Sequence, residues 1–242
     1  MRYFQFSIST LVQEKVILYL LTALSLVLPR IPVIGVFFRI VNTMIHETGH
    51  ALAALFTSGE VLSLDLFHDT SGVATTKSKS AVSRFIISIA GYFVSSIVAW
   101  LLFKAIWLNH INWVLFALLC IALVNLLFWV RNAFGILWLF LFQILIFVVW
   151  RYADVFWQKA FVIFCSGVVL FDSVASAWVI LYLSIKFPKQ AGDAKNLADQ
   201  TGIPAFFWAL IFLLQALYFA YLVAEMYLGK ILIEPVLQYL SL

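Results

Sequence analysis

Charge is scarce in this sequence. Aspartate, glutamate, lysine and arginine make up 11% of the 242 residues, while 65% are hydrophobic. A soluble domain carries about a quarter charged residues and is roughly half apolar. The mean hydropathy is +1.07. A water-soluble core cannot hide so much apolar surface, so an integral membrane protein is expected. Cysteine is nearly absent. Cys120 and Cys165 both lie in apolar runs, which excludes a disulfide framework and leaves them as small hydrophobes. Internal repeats and low-complexity tracts are missing too. So is strict alternation within the apolar runs, which argues against a membrane β-barrel and leaves helices as the spanning elements. The net charge of only +4 is accounted for by loops beside spans, so no nucleic-acid partner is expected.

What is there is a series of apolar segments. Seven are read, at about 16–29, 33–57, 81–103, 112–130, 133–150, 160–185 and 204–228, each near the ~20 residues needed to cross hydrocarbon. The fold expected is an all-α polytopic membrane protein of about seven transmembrane helices, forming a single domain over 1–242. The first segment ends at "PRIP", where Pro29 and Pro32 stop a helix. The N-terminal "MRYFQFSISTLVQEK" has no small-residue cleavage pattern and is read as retained. Nine basic residues, from Arg2 to Lys195, flank the spans on one side, and six, from Arg30 to Lys230, on the other. That bias places the N-terminus in the cytoplasm of a multi-pass cell-membrane protein.

Two polar stretches interrupt the grease. Residues 59–80 alternate through "EVLSLDL", turn at "DTSG" and return through β-branched "VATT", the pattern of a short β-hairpin. Residues 186–203 read as a surface loop with a short helix capped by Asp193, before Pro204 opens the last span.

The second apolar segment contains "HETGH". His46 and His50 stand at i and i+4, one turn apart on a single helix face. Two imidazole nitrogens so placed can bind one Zn2+ ion, and Glu47 beside them can act as a general base toward a water on that ion. Ionisable residues at bilayer depth are costly and mark functional sites by default.

The longer stretch "HETGHALAALFTSGEVLSLDLFHDTSGVATT" resembles the start of the M50 zinc metallopeptidases, the site-2 protease clan, and within it the M50B-like branch. "AGYFVSS" and "GDAKNLADQTGIPAFFWAL" resemble two further stretches of that branch. The resemblance implies zinc-dependent hydrolysis of peptide bonds in or beside the membrane, with Glu47 catalytic and His46 and His50 on the metal. The lipid bilayer and a membrane-associated protein substrate are the partners implied.

A catalytic zinc takes a third protein ligand. The LDG motif that supplies it in better-known site-2 proteases is absent. Asp172, near the middle of the sixth apolar segment, is the first expectation, because a carboxylate in lipid needs a partner. Asp193 is the rival, since the resembling segment centres on it. Asn125 and Asn132 lie near the positions of the family's Asn and Asp and are expected to bind the substrate backbone. The alternative function is a non-catalytic membrane protein that binds metal, transports or scaffolds. An exposed edge of the hairpin is expected to hold an unwound substrate segment by main-chain hydrogen bonds.

Overall fold

The computed structural model describes residues 19–32 and 34–240, with side chains to residue 228. The reading of the first fifteen residues as retained lies outside the described residues. In chain order the elements are α1 (Tyr19–Arg30), α2 (Ile34–Phe56), β1 (Glu60–Leu66), β2 (Gly72–Lys77), α3 (Ala81–Trp107), α4 (Ile111–Val124), α5 (Ala133–Tyr152), α6 (Val155–Lys186), α7 (Gly192–Thr201) and α8 (Ala205–Leu240). A single π-turn, Asn125–Trp129, extends α4.

Five of these helices are long and apolar enough to cross a membrane: α3, α4 with its π-turn, α5, α6, and α8 over Ala205–Leu228. The first two apolar segments do not add two more. α1 and α2 meet at 104° and count together as at most a sixth, broken span. Among the described residues the candidate spans thus number five or six, against the seven read from the sequence. The physical reason lies at "PRIP". Pro29 lies in the 3-10 turn that ends α1, and Ile31 is extended, so the helix axis breaks there.

α2 is the axis of the molecule. Ile40, Val41, Met44, Ile45, Ala51 and Ala54 are at most 1% exposed, which packs it between α3, α6 and the hairpin. Outward-facing aromatic residues such as Trp113, Phe128, Trp157 and Tyr218 stand exposed on the other helices, as lipid-facing side chains do.

The hairpin forms as its alternation demands. β1 and β2 pair antiparallel, from Glu60 with Lys77 to Leu66 with Gly72, with one irregularity between Val61 and Ser63. Leu64 and Leu66 turn inward and are fully buried. The hairpin leaves the C-terminal end of α2 and doubles back along it, so that the Thr70 carbonyl accepts a 2.7 Å hydrogen bond from Thr43 Oγ1. Thr43 lies thirteen residues before Phe56, about 20 Å along the helix. The outer edge of β1 is also occupied: Leu64 bridges to Val130 in the turn between α4 and α5.

The loop helix expected in 186–203 is α7, but Asp193 does not cap it. Ala191 holds the N-cap position, and Asp193 lies in the first turn with its side chain elsewhere.

Candidate metal centre

The site grows from one turn of α2. The His50 imidazole is oriented by α3: its Nδ1 lies 2.6 Å from the Ile87 carbonyl oxygen. A carbonyl can only accept, so Nδ1 carries the proton and Nε2 is left with a free lone pair. That Nε2 is 3.0 Å from Nε2 of His46. The third donor comes from α7. Asp193 Oδ2 lies 3.2 Å from His50 Nε2 and 3.4 Å from His46 Nε2. Among the described residues, His46, His50 and Asp193 are the group of three able to hold a metal ion.

The residues fit such an ion on three counts. Three electron-pair donors crowd within hydrogen-bond distance, an arrangement that needs a cation or shared protons between them. Four ligands at about 2.0–2.1 Å from zinc stand roughly 3.3 Å apart in a tetrahedron, close to the three separations just given. Finally, α3 leaves room for the cradle only because residue 91 is glycine. A Cβ there would lie 2.5 Å from His50 Nε2 and 2.6 Å from His46 Cε1. Burial alone would raise the pKa of Asp193, but the adjacent rings of His50 and His46, when they carry protons, outweigh it and hold the carboxyl well below its usual range.

Glu47 is buried beside the cluster and faces the hairpin. Gly72 at the start of β2 lets the strand lie directly on it: a Cβ at that position would meet Glu47 Cγ at 2.7 Å and Oε1 at 2.9 Å. The Ala74 backbone hydrogen-bonds the carboxylate. A cavity of about 840 Å³ opens over these groups, walled by β2 at Val73 and Ala74, by α3 at Ser88 and Tyr92, and by α6 at Ser176 and Ile180.

Asp172 is elsewhere. Its Oδ2 accepts from Arg39 Nε at 3.1 Å, and Arg30 Nη2 lies 3.9 Å from its Oδ1. The expectation of Asp172 as third ligand is corrected for that reason: a guanidinium on α2, about two turns before His46, reaches it and satisfies it. The two asparagines are revised as well. Asn125 is fully buried and donates through Nδ2 to Thr48 Oγ1 at 2.8 Å and to the Ile121 carbonyl at 2.9 Å. Asn132 bonds the chain's own backbone: Leu66 N–H donates to its Oδ1 at 3.2 Å, and its Nδ2 donates to the Leu66 carbonyl at 2.5 Å. It acts as one more strand residue along β1. Neither asparagine lines the cavity.

Reading residues one at a time missed Gly91 and Tyr92, although both stand in the "AGYF" stretch that carried the resemblance. The sequence model of the Peptidase M50B-like family matches residues 17–223. The chain belongs to that family. Neither a curated protein nor a solved structure gives a match. Family membership makes this a protein of peptidase ancestry, and its apolar helices make it a multi-pass membrane protein.

Proposed function

We propose that this M50B-like protein is a zinc-dependent endopeptidase that cuts membrane-associated protein substrates, with His46, His50 and Asp193 as the metal ligands and Glu47 as general base and acid. The observation that carries the reading is the convergence of two imidazole nitrogens and one carboxylate oxygen beside a separate, buried carboxylate. Zinc, when bound, supplies Lewis acidity: it makes water acidic near neutral pH and polarises a carbonyl.

The chain's own residues do the rest. Glu47 takes one proton from the attacking water, whose oxygen bonds to the peptide carbonyl carbon. It then delivers that proton to the amide nitrogen as the C–N bond breaks, leaving a new carboxyl and a new amine. Ile87 keeps the His50 proton on Nδ1, so the reactive side of the ring stays free. β2 presents the substrate. The outer edge of β1 is taken by Val130 and Asn132, whereas β2 lines the cavity, and among the described residues no strand pairs with its second edge. An extended peptide laid along that edge brings its backbone past Glu47. A substrate helix must unwind to do so, and Gly72 keeps the strand close enough to Glu47 for the two to meet the same peptide.

The test is Glu47→Gln in cells, read as new N-termini among membrane proteins. The wild type generates them, and the variant is expected to lose at least about 1,000-fold of the rate while the purified protein keeps its zinc. Equal cleavage by both proteins would remove the peptidase reading and leave a metal-binding or scaffold role.

A further inference from the structure

Resting on the peptidase reading, we infer that Tyr92 is a further catalytic residue whose phenol donates a hydrogen bond to the scissile carbonyl oxygen as negative charge gathers on it. Tyr92 follows Gly91 on α3 and lines the cavity. The residue is 6% exposed. Its ring is held from two sides: it stacks on Phe212 of α8 with centroids 4.4 Å apart and planes 17° apart, and its face-to-edge contact with His46 spans 4.7 Å. A buried tyrosine ordinarily finds a partner for its hydroxyl. Tyr227 does so here, donating to the Phe103 carbonyl at 2.9 Å. The Tyr92 hydroxyl hydrogen-bonds to no other group among the described residues, although it stands where polar partners are plentiful.

Two hydroxyls near Tyr92 on the cavity wall already take part in hydrogen bonds. Ser88 Oγ accepts from Gln200 Nε2 at 3.2 Å, and Ser176 Oγ donates to the Ser173 carbonyl at 3.2 Å. Glu47 and Asp193 are carboxylates and cannot stabilise an anion. The phenol is a donor held rigidly next to the histidine pair by its two ring contacts. A donor fixed before the reaction, in a site that excludes bulk water, stabilises the charged state without reorganisation. The ring contacts give Tyr92 its fixed direction, and the missing partner leaves the O–H free for the substrate.

The experiment compares full-length wild type, Tyr92→Phe and Glu47→Gln, each loaded with zinc. Phenylalanine keeps the stacking on Phe212 and the edge contact with His46 and removes only the hydroxyl. Three quantities are measured: the rate of new N-terminus formation, the affinity for a phosphinic pseudodipeptide, and the affinity for acetohydroxamate. The phosphinic group carries a tetrahedral oxyanion; acetohydroxamate binds metal without mimicking one. Tyr92→Phe is expected to lower the cleavage rate and the phosphinate affinity each on the order of 100-fold, with zinc content and hydroxamate affinity unchanged. Cleavage and phosphinate affinity within about threefold of wild type would overturn the assignment. A parallel fall in hydroxamate affinity or zinc content would also overturn it, by making Tyr92 a support of the histidines. Should wild type and Glu47→Gln cleave alike, the peptidase reading itself fails, a result distinct from either.

Discussion

Asp172 and Asp193 are two aspartates of the same apolar protein, and they end in opposite surroundings. Asp172 sits deep in the apolar helix α6, about 25 Å from its start, and Asp193 sits on a polar helix between spans. The one inside the span is paired with Arg39 and approached by Arg30, so its charge is already neutralised. The one from the polar helix reaches two neutral imidazoles that cannot neutralise it without a cation or protons. The comparison separates two reasons for a charge to survive in a membrane protein. One holds helices together, and the other leaves a charge to be completed by a ligand.

The sharpest way to break this comparison is to exchange the roles by substitution. Asp193→Asn is expected to lower zinc affinity at least about 100-fold, since one of three ligands loses its charge. Competition against a chromophoric chelator measures it, and retained affinity would show that the third ligand lies elsewhere. Gly91→Ala follows in size. A Cβ within 2.5 Å of His50 Nε2 crowds the cradle, so zinc affinity should drop by about tenfold or more, although alanine favours the helix by roughly 1 kcal/mol.

Asp172→Asn is expected to leave zinc affinity unchanged and to cost about 2 kcal/mol of stability, read as a lower Tm in detergent. A fully buried pair would cost more when broken, but the Arg39 side chain is 34% exposed and keeps some solvation. A loss of zinc in this variant would erase the distinction between the two aspartates. The smallest effect belongs to the hairpin edge. Asn132→Ala removes both bonds to Leu66, for about 1 kcal/mol, and hydrogen exchange at the Leu66 amide should accelerate while zinc binding stays the same.

Much of the candidate site was legible. The i, i+4 spacing of His46 and His50 places both rings on one face whatever surrounds the helix, and the alternation of residues 60–66 specified a hairpin, although the irregularity between Val61 and Ser63 leaves Leu62 exposed while Leu64 and Leu66 are buried. Asp172 was misread because burial alone cannot say which partner satisfies a charge. Arg39 stands 133 positions away in the chain, and nothing local links the two. The reading of Asn132 as a binder of extended backbone described its chemistry, but the backbone it binds is that of β1.

The sequence by itself determined the membrane class, the helical turn that presents two imidazoles and a carboxylate, and the strand pair that follows it. All three rest on composition or on spacings of a few residues, where covalent geometry sets direction. Only the tertiary structure decided that α7 brings Asp193 to the histidines, and that Gly91 and Tyr92 close the site. Those outcomes depend on helix crossings between residues dozens to more than a hundred positions apart, and packing sets such crossings, not periodicity.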